Sequence, residues 1–341
     1  MHPVTPRLEI SLEKIASNAA AISDLCGQHG IQLIGITKGC GGLPEVACAM
    51  LKGGASAIGD SRMLNLQRLA ADHLAVPLHL IRTPSLSRAG QVVGLATLSH
   101  NTELPVIEKL AYEARNKGQK HQILLVVELG DGREGIWPAD IVEVAKKVVG
   151  LEGIDLVGIG GNLGCYTLSY PTADQVTLLL DARQRVETAL DITLDVVSVG
   201  GSSVLSLLLQ DECPPGITHL RAGEAILLGT DAVEGRRLPG THHDAIQLVA
   251  EVIEVRRSTG RDAGGRRQVL VAVGYQDAET AGLTVQMPGT EIKASTSDHL
   301  ILSADEDAET IAVGQEIHFL PDYHALVQLC TTPYIAQSVN A

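Results

Sequence analysis

Aromatic residues are scarce in this chain of 341 residues, which contains one Trp, one Phe and six Tyr. The core must therefore be aliphatic, and few rings are available on which nucleobases could stack. Basic residues are also in the minority: 26 Lys and Arg stand against 40 Asp and Glu, for a formal net charge of -14. Because no run of Lys or Arg interrupts this negative excess, we do not expect a nucleic-acid partner.

Long apolar runs are missing as well. No apolar stretch reaches the roughly 18 residues that a membrane span needs, and residues 1–7 lack the pattern of a signal peptide. We therefore expect a cytoplasmic protein without a membrane partner. The six cysteines show no Cys-x-x-Cys spacing, so neither a metal site nor a disulfide framework is predicted.

Short β-branched runs alternate with helical patterns from Leu33 onward. Helices are predicted at 103–117 with a cap at Asn101 or Thr102, at 138–149 with Pro138 in the first turn, and at 173–190. Eight strand-helix units over about 230 residues are typical of an α/β fold of the (β/α)8 barrel type. The eight runs are 33–37, 56–59, 77–81, 96–99, 123–129, 156–160, 196–199 and 219–229.

The alternation ends after about Asp231. Residues 234–243 are predicted to form a linker because they combine Gly, Pro and His, and strand-like segments without helices follow. We therefore predict a barrel domain over 8–235 and a smaller, mostly-β C-terminal domain over 244–341, to which residues 1–10 could also belong. The predicted strands of this second domain are 247–255, 268–273, 291–294, 299–302 and 316–320.

Polar residues gather where the predicted barrel strands end, which is where such barrels carry their chemistry. Lys38 is the sharpest candidate, because a neutral amine at a barrel mouth can attack a carbonyl group and form a Schiff base; a solvated loop lysine is the alternative. The other polar residues at the mouth are Asp60, Ser61, Arg62, Arg82, His100, Asn101, Asp131, Arg133, Asn162, the turn 200–203 and Arg221.

The Gly200-Gly201-Ser202-Ser203 turn has the features of a phosphate cradle, since glycines allow close backbone approach and hydroxyls donate hydrogen bonds. A simple turn is the alternative. Phosphate sites in these barrels commonly follow the seventh and eighth strands, which favours the cradle. A lysine for an aldehyde and a cradle for a phosphate together suggest pyridoxal 5'-phosphate as the cofactor.

Five stretches carry a resemblance to a known family: 59–62 (GDSR), 129–135 (LGDGREG), 161–166 (GNLGCY), 220–229 (LRAGEAILLG) and 294–300 (ASTSDHL). They resemble the fold-type III pyridoxal-phosphate enzymes, and within them the alanine racemase family, nearest to its ornithine racemases. The resemblance implies two-base racemisation of a free amino acid, ornithine or another basic one. An alanine or broad-specificity racemase is the alternative, as is a non-catalytic pyridoxal-phosphate carrier, which is shorter and lacks the second domain.

The resemblance also implies roles for single residues in cofactor binding. Lys38 is similar to the family's Schiff-base lysine, and Arg221 to the arginine that faces the pyridine nitrogen. The remaining cofactor candidates, which include the phosphate site, are Asn162, Ser202, Ser203, Gly223 and Glu224.

Tyr275, in the segment Gly274-Tyr275-Gln276-Asp277, resembles the second catalytic residue, which the family takes from the partner subunit. This implies a homodimer with shared active sites, whereas a tyrosine packed within the β domain is the alternative. Arg133, Asp277 and Asp298 are candidates for binding the substrate. For Arg133 a local pair with Glu134 is the favoured role.

Overall fold

The computed structural model describes residues 4–72, 74, 76–257, 266–305 and 311–340. Two compact units divide these residues. One comprises the described parts of Met1–Lys14, Gly39–Gly41 and His242–Ala341, and the other comprises Ile15–Lys38 and Gly42–Thr241. Residues 1–3, 258–265, 306–310 and 341 belong to the predicted ranges 1–10 and 244–341 but lie outside the described residues.

The helices and strands are numbered in chain order. The helices are α1 (Leu12–Gln28), α2 (Pro44–Lys52), α3 (Met63–Ala71), α4 (Ala89–Leu95), α5 (Leu104–Asn116), α6 (Ile141–Val149), α7 (Ala173–Leu190), α8 (Leu205–Leu209), α9 (Glu224–Leu228) and α10 (Tyr323–Leu329). The strands are β1 (Arg7–Ser11), β2 (Gln32–Ile36), β3 (Ala57–Asp60), β4 (Leu78–Leu80), β5 (Leu98–Asn101), β6 (His121–Val126), β7 (Ile154–Asn162), β8 (Val196–Gly200), β9 (His219–Ala222), β10 (Ile246–Arg257), β11 (Arg267–Val271), β12 (Leu283–Val285), β13 (Thr290–Ser295), β14 (Leu300–Ala304), β15 (Glu316–Pro321) and β16 (Ala336–Asn340).

Strands β2 to β9 form a closed parallel barrel in chain order. Each strand pairs with the next, and β9 closes the ring on β2 with Ile34 opposite Arg221. The predicted (β/α)8 fold with a second, mostly-β part is thereby confirmed. The carboxyl ends of all eight strands meet at one rim, so the residues that follow them are brought together there.

Helix α7 shows how the sequence directs the outer layer of the barrel. Thr172 caps its first turn: Thr172 Oγ1 accepts a hydrogen bond from Gln175 N, and Gln175 Oε1 accepts one from Thr172 N. This reciprocal pair satisfies two backbone donors that the helix itself cannot use. The buried side chains recur at helical spacing and pack onto the barrel; they are Val176, Leu179, Ala182 and Val186.

Three local predictions in the barrel are wrong. The run 219–229 is not one strand, because β9 ends at Ala222 and α9 follows; the residues of α9 are nearly all buried, which removes the period that separates helix from strand. Glu103, not Asn101 or Thr102, is the N-cap residue of α5, and it makes no side-chain cap. Helix α6 begins at Ile141, so Pro138 lies in the preceding turn.

The other unit contains an eight-stranded sheet in the order β12-β15-β10-β11-β14-β13, to which β1 and β16 are added through β10. Strand β1 pairs antiparallel with β10 and parallel with β16. The sequence did not predict β1, β12, β16 or α10. In the part of the chain that the structure describes, no helix combines the length and apolarity needed to cross a membrane.

Candidate active site

Arg221 lies at the centre of the site, on the inner side of β9. Its side chain is 4% exposed. Nη1 donates to Ser198 Oγ (2.7 Å), and Nη2 donates to Gly161 O (2.8 Å) and Asn162 Oδ1 (2.9 Å). Among the described residues these partners are neutral oxygens, and they use three of the five N–H groups of the guanidinium. Two N–H groups therefore remain for a further acceptor.

Gly200 makes the position of Arg221 possible. A Cβ at Gly200 would lie 2.6 Å from Arg221 Nη2, so any larger residue would displace the guanidinium. Burial first, and then the charge of Arg133, lowers the pKa of Arg221 to about 9. The guanidinium stays protonated near neutral pH, because that value is well above 7.

A hydrogen-bonded chain leads from Arg221 across two loops of the barrel mouth. Asn162 accepts from Arg221 and donates through Nδ2 to Glu134 Oε1 (3.3 Å). The same Glu134 oxygen pairs with Arg133 Nη2 at 2.8 Å, and Arg133 Nη1 lies 2.9 Å from Cys165 Sγ. Arg133 therefore makes the local pair that the sequence favours.

The turn after β8 and the start of α9 form one cradle. The amide N–H of Ala225 donates to Ser202 Oγ at 3.0 Å, so the two predicted phosphate-binding segments are in contact. Ser202 accepts this bond and keeps its own hydroxyl proton for an acceptor. The Ser203 hydroxyl donates to Leu163 O at 2.6 Å and thereby holds the loop after β7. A Cβ at Gly201 would meet nothing within 4 Å, so the cradle has open space beside this residue.

Lys38 follows β2, the strand that pairs with the strand of Arg221, and its side chain is half-buried. The preceding residue is held firmly: Thr37 Oγ1 donates to Asp60 Oδ2 at 2.8 Å, and Asp60 is fully buried. Burial raises the pKa of Asp60. On the other side, Gly223 lies against Ile36, because a Cβ there would come within 3.0 Å of Ile36 O. The backbone that presents Lys38 is thus fixed next to the cradle.

Two acidic residues shape the loop between β6 and α6. Glu128 Oε1 accepts from the amides of Gly130 (2.7 Å) and Gly132 (3.0 Å). Asp131 Oδ1 accepts from the amides of Cys165 (3.0 Å) and Tyr166 (2.9 Å), which ties this loop to the one after β7. Both carboxylates therefore organise the backbone that carries Arg133.

Histidines occupy the barrel interior beneath Arg221. Burial, followed by the charges of His219 and Arg221, lowers the pKa of His79 to about 4. His100 is fully buried with a pKa well below its usual value, first through burial and then through Arg221. A cavity of about 250 Å³ opens at the amino ends of the strands, lined in part by His79, Ser198 and His219. With pKa values lowered in this way, His79 and His100 are neutral near pH 7.

His121, at the start of β6, makes acid stability testable. Its ring hydrogen-bonds Ser99 Oγ at 2.8 Å, and burial lowers its pKa from 6.5 to about 4. Above pH 6.5 both states are neutral, whereas between pH 6.5 and 4 the unfolded chain binds the proton and the folded one does not. Stability should therefore fall by about 3 kcal/mol over this range through His121. Urea unfolding at several pH values measures this. His121→Asn should remove the His121 share of the slope, whereas the buried His79 and His100 keep theirs. His324→Gln, at an exposed position, should leave the slope unchanged. An unchanged slope in His121→Asn would contradict the assignment.

Three sequence candidates lie in the unit that contains the C-terminal strands. Tyr275 is 62% exposed and its amide donates to Thr296 O at 2.9 Å. Asp277 Oδ2 accepts from Gly274 N (2.9 Å), so it closes the turn that carries Tyr275. Asp298 is exposed and accepts from the hydroxyl of Ser297. The turn therefore presents the Tyr275 ring to solvent in a single chain.

Sequence reasoning missed Ser198 and the part that Glu134 plays beyond its pair with Arg133. Ser198 stands two residues before Gly200 on β8, so strand alternation places both on the inner side of the barrel. That period was a usable signal for Ser198. No such signal exists for the bond between Asn162 and Glu134, because it joins the last residue of β7 to a loop residue 28 positions earlier in the chain.

Comparison with known proteins extends these observations. Residues 10–231 match the family model described as alanine racemase, N-terminal domain. The chain is 30% identical to an ornithine racemase of Acetoanaerobium sticklandii over 98% of this chain and 99% of that protein. It is also 30% identical to a lysine racemase of Thermotoga maritima, over 97% and 98% respectively. A solved structure of alanine racemase from a D-cycloserine-producing Streptomyces lavendulae shares the fold with a TM-score of 0.79 at 17% identity, covering 100% of this chain and 98% of that one.

Proposed function

The chain belongs to the alanine racemase family and is an amino-acid racemase that uses pyridoxal 5'-phosphate, and we propose that its substrate is a basic amino acid such as ornithine or lysine. The observation that carries the substrate class is the full-length similarity to two racemases named for basic amino acids. The same similarity argues against a non-catalytic carrier, because both relatives span the barrel and the C-terminal sheet alike.

The barrel mouth fits the cofactor by the chemistry of its donors. Ser202 keeps a hydroxyl proton, and the space beside Gly201 is open, as a phosphate cradle requires. Arg221 keeps two N–H groups and has no carboxylate partner among the described residues, so it can donate to the pyridine nitrogen. We assign the phosphate to Ser202 and the backbone of Ser203, Gly223 and Glu224, with Asn162 orienting Arg221.

Within the barrel, the proposed mechanism assigns the chemical roles to Lys38 and Arg221. The bound cofactor supplies the electron sink that allows Cα to lose its proton. Lys38 Nζ takes up or returns that proton on one face, which is general acid-base work. Near neutral pH the protonated guanidinium of Arg221 only donates hydrogen bonds, so it would keep the ring nitrogen unprotonated and limit electron withdrawal. Proton return to Cα is then favoured over loss of the amino group.

The second proton carrier in this proposal is Tyr275 of the partner subunit. Tyr275 lies on a turn that Asp277 closes by accepting from Gly274 N, and it is 62% exposed. Other aromatic side chains of this aromatic-poor chain are exposed too; they are Tyr112, Trp137, Tyr166, Tyr170 and Tyr334. The proposed homodimer would thus share residues between its two active sites.

A chiral screen tests the substrate class. The holoenzyme is incubated with each common L-amino acid in deuterated water, and chirality and deuterium at Cα are followed by chromatography and mass spectrometry. We expect racemisation with deuterium uptake to be fastest for ornithine or lysine. Preference for alanine, or equal rates across many side chains, would contradict the basic substrate class. If none of the amino acids took up deuterium at Cα, the non-catalytic carrier would be the remaining alternative.

A further inference from the structure

The buried Arg221 and the exposed Arg133 are linked at the barrel mouth through one carboxylate, that of Glu134. Arg133 lowers the pKa of Arg221 by charge repulsion, whereas Glu134 raises it. Glu134 Oε1 is bonded to Arg133 Nη2 (2.8 Å) and to Asn162 Nδ2 (3.3 Å). The one oxygen thus serves both arginines, directly for Arg133 and through the amide for Arg221.

The bond to Glu134 fixes which way the Asn162 amide points. A carboxylate oxygen only accepts, so Asn162 must turn Nδ2 toward Glu134 and Oδ1 toward Arg221. Asn162 Oδ1 then accepts from Arg221 Nη2 at 2.9 Å. Reversal of the amide would place the N–H groups of Asn162 against those of Arg221 and its oxygen against the Glu134 carboxylate, which is unfavourable at both ends.

The charges that face Arg221 explain why Glu134 matters electrically. The titratable groups that face Arg221 are the cation Arg133, the carboxylate Glu134 and the thiol Cys165 on the mouth loops, and the neutral histidines His79, His100 and His219 on β4, β5 and β9. Burial removes water that would otherwise solvate the guanidinium. The carboxylate of Glu134 therefore favours the charged form of Arg221, against burial and the charge of Arg133.

We propose that Glu134 is a positioning residue for Arg221: it orients the Asn162 amide and acts as the counter-ion, shared with Arg133, that keeps the Arg221 guanidinium charged and aimed at the cofactor. The cofactor part of this inference rests on the proposed function. The part that concerns Arg221 itself does not, because it describes contacts within the chain alone.

The alternative role for Glu134 is an ion pair with Arg133 alone. The two roles predict different effects on the protonation of Arg221. If Glu134 only neutralises Arg133, then Glu134→Gln and Arg133→Gln both break one pair and leave Arg221 unaffected. If Glu134 serves Arg221, Glu134→Gln removes a favourable charge and Arg133→Gln removes an unfavourable one. The proton equilibrium of Arg221 should then move in opposite directions in the two variants.

The direct measurement is nuclear magnetic resonance of protein labelled with 13C at arginine Cζ and stripped of cofactor. Arginines in water do not titrate below pH 12, so the resonance with a midpoint near pH 9 is expected to be Arg221, and its loss in Arg221→Lys assigns it. We expect Glu134→Gln to lower this midpoint by about one pH unit and Arg133→Gln to raise it. Glu134→Asp keeps the charge, so its Arg221 midpoint should lie close to that of the wild-type protein.

The matched control is Glu113→Gln, which breaks a surface pair with Lys109 on α5 and should leave the midpoint unchanged. The proposal would be overturned by an Arg221 midpoint that is unchanged in Glu134→Gln, or that shifts in the same direction in Glu134→Gln and Arg133→Gln. If Glu134→Gln does not fold, Glu134→Ala, which also removes the charge, takes its place in the comparison with Arg133→Gln. In the holoenzyme, the alkaline limit of kcat should shift with the Arg221 midpoint. If the midpoints shift in opposite directions but the protein racemises no amino acid, the proposed function is refuted and this inference stands.

Discussion

Replacing Lys38 with alanine is expected to lower racemisation by at least about 10³-fold. The change removes the amine that we propose binds the cofactor aldehyde and moves the Cα proton on one face, and general acid-base groups alone contribute about 10²- to 10⁴-fold. The bond from Thr37 to the buried Asp60 remains in this variant, and it holds the backbone next to position 38. Chiral chromatography of the best substrate from the screen measures the rate.

The colour of the protein provides an independent readout of Lys38. The wild-type protein should be yellow, and borohydride should fix the chromophore covalently to the peptide that contains Lys38. Lys38→Ala should lose the covalent label, whereas Lys52→Ala, at an exposed position at the end of α2, should keep both label and activity. Label found on another lysine, or wild-type rates in Lys38→Ala, would remove the basis for the proposed site.

The barrel and the position of its site could be predicted from the sequence because both depend on local periodicity. β-branched runs alternate with helical patterns, and a parallel barrel brings all strand ends to one rim, so Lys38, Asn162 and Arg221 could be grouped without coordinates. The turn at 200–203 was identified by its glycines, and Gly200 proves necessary because the Arg221 side chain occupies the space of its Cβ.

The features that were missed depend on contacts between distant segments. Strand β1 forms because β10 and β16, which lie far along the chain, offer it backbone partners, and nothing within residues 7–11 indicates this pairing. The error at α9 has a related cause, since a short segment buried on all sides carries no helical period. Glu134 could be paired with its neighbour Arg133 from the sequence, but its bond to Asn162 required the fold.

Changing Tyr275 to phenylalanine is expected to slow racemisation by about 10²- to 10⁴-fold, because it removes the hydroxyl proposed to serve the second face of Cα. The yellow colour should remain, since Lys38 is intact. In deuterated water the enantiomer whose Cα–H faces Lys38 should still exchange its proton with retained configuration, while its mirror image should not. Tyr112→Phe, on the exposed surface of α5, is the matched control. Full activity in Tyr275→Phe would place the second base elsewhere.

Mixing two inactive variants tests whether Tyr275 acts across subunits. In a homodimer with shared sites, a hybrid of Lys38→Ala and Tyr275→Phe contains one site with both residues intact and one site with neither. Random reassortment makes about half of the dimers hybrid, each with one of two sites active, so about a quarter of wild-type activity should return. If Tyr275 served the site of its own chain, every site would lack one residue and no activity would return. Hybrid dimers can also be isolated by tagging the two variants differently, co-expressing them and purifying through both tags. With shared sites, these hybrids should reach about half of wild-type activity per dimer.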